Sequence, residues 1–322
     1  MKHHLAYISA VLIGSAAAQG TLTPPGAPAA TMKSLSQIEP RVALTPTGGQ
    51  LTISQSGSYY LTGNLAVTTG TGIVVNANNV MLDLCGFTIS SSAAAATGSA
   101  ISLSNGGRNI TICDGRISSG VSYSGGSFSG SGFAYGISSG GSILNALVSG
   151  ISINGCLSGG IILANGGTTD GAVVEHCSVR TVGGHGIAAT TVRGCSAIQC
   201  GGTAIFAPMV SDCIGDSTSS YGIYGKTIQN SIGTAAGAKT AINAENAVNC
   251  SANNTGTGGG LAAYTAMNCT CRSVGAVALS ATTSAFCFAY RASGVAISGT
   301  VANGCYASGG GTVSVTNKYN MP

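Results

Sequence analysis

The sequence predicts an all-β solenoid, a right-handed single-stranded parallel β-helix, and three observations carry that expectation. First, cysteine recurs at a fixed step: Cys156, Cys177, Cys195, Cys213, Cys250, Cys269, Cys287 and Cys305 are 21, 18, 18, 37, 19, 18 and 18 residues apart, and Ser231 splits the 37 into 18 and 19. Second, from the Cys195 repeat to the Cys305 repeat, with Ser231 counted, an aliphatic side chain stands eight residues before (Ile187, Ile205, Ile223, Ile242, Leu261, Leu279, Ile297) and only alanine or glycine six before, from Ala189 to Gly299. Third, the residue just before the cysteine is His176, Gly194, Asp212, Asn230, Asn249, Asn268, Phe286 or Gly304, a column rich in the types that tolerate positive φ. Columns with a period of 18 to 19 mean that each repeat is one supersecondary unit, which buries its inner face only by stacking on its neighbours.

Taken in chain order, residues 1–18 read as a secretory signal: Lys2, His3 and His4, then the apolar LAYISAVLIG, then small residues suited to cleavage near Ala18. Residues 19–49 read as leader and N-terminal cap, with Met32–Arg41 a short helical or extended segment. Residues 50–322 read as the β-helix domain, with longer irregular coils up to about residue 150. There Cys85 and Cys113, and likewise Ile89 and Ile117, are 28 apart, so those coils are expected to stack in register while the loops SSAAAATGS and SYSGGSFSGSGF project. An insertion from Asn165 to Gly171 accounts for the 21-residue step, and TVSVTNKYNMP supplies a final strand.

Within a coil, the Ile-x-Ala stretch alternates with a period of two, the mark of a strand with one inward face. Val174, Val192, Val210 and Ile228 add a second inward position across the bend. Inward spacings of two, three, three and two do not fit the left-handed hexapeptide helix, which needs an aliphatic every sixth residue; parallel crossovers favour the right-handed form. Helices are excluded by the missing 3.6-residue period and by 51 glycines. The cysteines from Cys156 onward are expected to form one internal file of apolar thiols rather than disulfides, with Cys271 in a neighbouring inward column of Ala and Gly and Cys200 off the file.

Only 6% of residues are charged, against about a quarter in ordinary domains, and the net charge of +4 has no basic cluster behind it. Nucleic acid is therefore not an expected partner. No segment after the signal is long and apolar enough to span a bilayer. No metal or cofactor is expected, because no CxxC pair with partner histidines exists. Nothing in the sequence sets an oligomeric state.

At SGSYYLTGNL (residues 56–65), GIVVNANNVMLDLCGFTIS and NITICDGRIS, the chain resembles secreted bacterial right-handed β-helix repeat proteins of the pectate-lyase-like group, and MKSLSQIEPR resembles their leader segment. The resemblance covers residues 32 to 120 and implies the fold; members include lyases, hydrolases and epimerases as well as proteins with no assigned activity. A lyase of that group implies an acidic calcium cluster and a basic residue, and a polygalacturonase-like hydrolase implies paired aspartates beside a Gly-His-Gly segment. Gly184, His185 and Gly186 resemble that triplet, but the mature chain's few carboxylates are expected to stay apart, so no acid and base face each other.

Two groups of candidate residues follow. Glu175 and Arg193 share an outward column on consecutive coils, an expected exposed ion pair, and with His176 and Asp170 nearby they make the only polar constellation with catalytic potential apart from His185. Seven and five residues before the cysteine, Phe206, Tyr224, Asn243, Lys226, Glu245 and Tyr264 form an outward aromatic and amide strip suited to stacking on sugar rings. The structural alternative for this strip is cross-coil stacking plus a Lys226–Glu245 ion pair, and the absence of tryptophan favours that alternative. The reading of the sequence is thus an exported, non-catalytic structural, adhesive or glycan-contacting module with a polysaccharide or cell-envelope glycan as partner. A polysaccharide-active enzyme, or a relic of one, is the alternative.

Overall fold

The computed structural model describes residues 39–104, 106–141, 143–163 and 171–321. The signal segment, the leader, Met32–Ile38 of the expected cap and residues 165–170 of the insertion lie outside them. The chain divides into two units at Pro40, and the fold described here is that of the unit from Arg41 onward. All but two of its strands join one parallel sheet, in which strands pair with those one coil earlier and one coil later and the strands of the end coils pair on one side. No helix occurs among the described residues, and none is long and apolar enough to cross a membrane. The path is that of a right-handed parallel β-helix, the hand that twisted strands impose on parallel crossovers.

Three walls, A, B and C in chain order, line the coil. The inward file of wall A runs without a gap through Leu51, Ile73, Ile101, Ile137, Ile161, Ile187, Ile205, Ile223, Ile242, Leu261, Leu279, Ile297 and Val313. All but the two end members are fully buried. Wall B opposes it with Leu82, Ile112, Val148, Val174, Val192, Val210 and Ile228, shrinking to Ala247 and Ala266. Wall C goes from Ile89, Ile117, Ile153 and Val179 to Ala197, Gly215, Gly233, Ala252 and Cys271. The core therefore narrows toward the C-terminus, where coils shorten to 18 or 19 residues and small side chains fill the remaining space. Strand pairing begins with Val42–Leu44 and ends with Thr312–Tyr319, the last strand anticipated in the sequence.

Between walls B and C the bend column has one backbone state. His176, Gly194, Asp212, Asn230, Asn249, Asn268, Phe286 and Gly304 all have φ between 48° and 59°. The amides along it bond to each other: Asn230 Nδ2 donates to Asp212 Oδ1 (3.2 Å), Asn249 to Asn230 (3.1 Å) and Asn268 to Asn249 (3.3 Å).

The cysteine file holds from Cys177 to Cys305 but does not begin at Cys156. Ser152 pairs with Ser178, so the residue one coil before Cys177 is Ile151, 26 positions earlier, and the insertion is absorbed in that coil. Cys156 instead stands in a second inward file, opposite Val182, which is in turn opposite Cys200. Both cysteines are fully buried. All twelve cysteines are free thiols, and Cys177 N–H donates to Cys195 Sγ (3.4 Å) as Cys195 N–H does to Cys213 Sγ (3.5 Å). Ser231 takes the vacant place with its hydroxyl donating to Gln229 O (2.6 Å) and accepting from Cys213 N–H (3.2 Å).

Two further expectations change. Ile89 and Ile117 do face each other, but Cys113 lies opposite Asp83, not Cys85. The two-residue offset is taken up by the turn at Cys85 (φ 49°) and Gly86 (φ 76°), closed by Phe87 N–H donating to Leu84 O (2.8 Å). The loop SYSGGSFSGSGF forms an antiparallel hairpin, Gly120–Ser124 with Ser127–Ser131, around Gly125 and Gly126. Both glycines have positive φ, as a two-residue turn of that hand requires. Its Tyr123 and Phe128 rings lie 4.6 Å apart. Phe128 rests on Gly183 and Gly201, where an added Cβ would meet it at 3.2 and 2.9 Å, so the hairpin folds back over the next two coils.

Candidate functional site

On the outer surface, the corner between walls A and B is a groove of about 640 Å³ running from Phe206 to Thr300. Its floor is the small-residue column of the sequence, Ala207, Gly225, Ala244, Ala263, Ala281 and Gly299. Gly225 and Gly299 admit no side chain, because a Cβ there would collide with the carbonyl oxygen of Ala207 or Ala281. One flank carries Phe206, Tyr224, Asn243, Ala262 and Ser280, held in register as the outward file of wall A. The other carries Pro208, Lys226, Glu245, Tyr264, Thr282 and Thr300. All six residues of the sequence-derived strip line this groove.

The aromatic rings form a longer run than the sequence suggested. His185 stacks on Phe206 (6.0 Å between centroids), Phe206 leans on Tyr224 (5.3 Å), Tyr224 meets Tyr221 (5.1 Å), and Lys239 Nζ lies 5.6 Å from the Tyr221 ring. His185 therefore belongs beside the groove, at the head of the aromatic run. Its Nδ1 lies 3.3 Å from the Thr203 carbonyl oxygen. Tyr221 and Lys239 were missed because they sit in the turn before wall A, outside the counted columns.

The polar groups of the groove are open to a ligand. Of the structural alternative, the cross-coil stacking is present in the Phe206–Tyr224 contact, whereas Lys226 and Glu245 form no ion pair with each other, unlike Arg41–Asp83 (3.0 Å) and Arg193–Glu175 (3.1 Å). Asn243 contrasts with Asn249 at the bend: the bend amides satisfy one another, whereas the Asn243 amide faces the groove. Tyr264 is 68% exposed, so its ring face is available.

The other candidates do not join this site. Glu175 and Arg193 form the expected exposed pair on wall B, and the His176 ring covers Gly194, whose added Cβ would lie 3.1 Å from it. None of the three lines the groove, and Asp170 lies outside the described residues.

One cluster escaped the sequence reading, which expected the carboxylates to stay apart. Asp83, Cys113 and Asp114 bring three donor atoms within 4.8 Å of one another. Asp83 is already engaged, with Oδ2 on Arg41 and Oδ1 accepting from Cys85 N–H (2.7 Å). Burial, and then the charges of Asp83 and Asp114, push the Cys113 thiol up to about 11, so at neutral pH it keeps its proton. Burial likewise pushes Cys156 up to about 12 and raises Cys200 and Cys271 well above the ordinary thiol value.

No protein-family model and no curated protein matches the chain. Among solved structures, the A-module of mannuronan C-5 epimerase AlgE6 from Azotobacter vinelandii is similar at 14% identity and a TM-score of 0.39, over 87% of this chain and 85% of that one. The enzymatically active domain of tailspike protein 2 of bacteriophage CBA120 is similar at 14% identity and a TM-score of 0.36, over 89% of this chain and 42% of that one. The AlgE4 A-module, also a mannuronan C-5 epimerase of A. vinelandii, gives 13% identity and 0.35 over 85% and 88%. The likeness is one of chain path, and no residue role passes across it.

Proposed function

We propose that this protein is an exported glycan-binding β-helix that holds a polysaccharide along the wall A–B groove without turning it over. One observation carries the reading: a single groove gathers three aromatic rings, an unpaired amide and several hydroxyls on a rigid floor. Aromatic faces supply the apolar contact that a pyranose ring accepts, and side-chain amides and hydroxyls match its hydroxyls. The rigid backbone ladder keeps these groups in place before binding, which lowers the ordering cost of association. Against hydrolysis stands Glu245 as the only carboxylate among the described residues that line the groove. Glycoside hydrolysis needs two carboxyl groups flanking the scissile bond.

The test is a panel of polysaccharides followed by two readouts, retention of the protein on immobilised glycan and release of reducing or unsaturated ends. Retention without new ends is expected. Release of ends that stops in Glu245→Gln replaces binding with catalysis. Absence of retention on every glycan removes the reading.

A further inference from the structure

We propose that the occupant of the groove is an uncharged pyranose polymer rather than a polyuronate, an inference that rests on the glycan-binding reading above. The groove spans six coils, five steps of about 4.8 Å, or roughly 24 Å. At steps of about 4.8 Å, that is room for a run of several pyranose residues laid along the coils. A polyuronate lays one carboxylate on each of those residues. The groove lining answers with one cation, Lys226, since Lys239 lies outside it against the Tyr221 ring, and sets Glu245 on the next coil of the same flank, where Glu245 N–H donates to the Lys226 carbonyl (2.9 Å). A carboxylate seated on Lys226 thus brings its neighbour toward Glu245, and like charges at one coil step repel. No further charged side chain lines the groove.

What remains is neutral and two-sided in its hydrogen bonding. Asn243 and Thr282 each donate and accept, as sugar hydroxyls do, and no intrachain bond engages either side chain among the described residues. Lys226 and Glu245, unpaired with each other, then serve as a donor and an acceptor for hydroxyls on adjacent sugars.

Affinity electrophoresis of the full chain tests this, with gels containing a β-glucan, a mannan, a polymer of N-acetylglucosamine, polygalacturonate or polymannuronate. The expected result is retardation in at least one neutral gel, unchanged between about 0.05 and about 0.5 M salt because no ion pair is being screened. Polyuronates are expected to bind at least about tenfold more weakly. Glu245→Lys, checked for native circular dichroism, is expected to gain polyuronate retention that falls with salt. Stronger retention of the unaltered protein by a polyuronate, lost on adding salt, overturns this inference and leaves the glycan-binding reading standing. Retardation in no gel overturns both.

Discussion

Replacing Phe286 by asparagine is expected to make the protein more stable. Phe286 holds φ 52° in the bend column and is 64% exposed. A left-handed backbone costs an ordinary L-residue about 1–2 kcal/mol, and asparagine far less. Asparagine there also extends the amide file by one member, because the Asn268 side chain below it already donates to Asn249 and has its own oxygen free to accept. An exposed bond of this kind contributes about 0.5 kcal/mol. Against these gains stands the lost packing of the Phe286 ring on Gly304, where an added Cβ would lie 2.9 Å from the ring. About a third of the side chain is covered, and full burial of Phe contributes about 1.5–3 kcal/mol, so the loss is about 0.5–1 kcal/mol. The balance is a gain of about 1 kcal/mol, or about 2–4 °C in Tm for a domain of this size. Urea titration and differential scanning calorimetry read it out, with Phe286→Ala as control: alanine loses the ring without relieving φ and is expected to destabilise. If the asparagine variant is no more stable than the alanine one, backbone strain at the bend is not what limits that coil.

Tyr264→Ala is expected to weaken glycan retention about tenfold while moving Tm by less than about 1 °C, since the ring is largely exposed; isothermal titration and calorimetry separate the two. Asn254 is fully buried, donating to the Lys239 carbonyl and accepting from Gly256 N–H. Asn254→Ala leaves that amide and carbonyl unpaired and is expected to cost about 2 kcal/mol by urea titration. In a native thiol titration only Cys85 should react readily, and denaturant should release the rest; Cys85 is the one exposed cysteine, and burial with Asp83 beside it raises its pKa, so its reaction should quicken as pH rises. Cys156 has its folded pKa raised from 9.0 to about 12, so its contribution to stability is fully present below pH 9.0 and lost as pH rises toward 12. Under reductant, urea midpoints should fall between pH 9 and 11, less steeply in Cys156→Ala; an equal slope would remove Cys156 as the cause.

The walls were legible because burial repeats: the aliphatic file of wall A, the bend column with its Asn, Asp and Gly, and the six residues of the groove all sit at constant offsets from the cysteines. Where the offset fails, so does the reading. Counting from cysteine to cysteine put Cys156 in the wrong file, because the inserted residues make that coil 26 long, a length that Val148 to Val174 and Ile161 to Ile187 both carry. The pairing of Cys113 with Asp83 was hidden by a turn that shifts the register by two between walls B and C. The Phe128 contact on Gly183 and Gly201 joins segments with no common period, and nothing local in the sequence announces it.

The groove is written one coil at a time. Each step along it comes from a separate 18- or 19-residue unit contributing one floor residue and one or two flanking ones. Duplicating or deleting such a unit leaves every other wall contact in register and changes the cradle by a single increment. The reach of the surface, and with it the length of ligand it grips, is therefore a countable trait that tandem copying of a short DNA segment can adjust without redesigning the core.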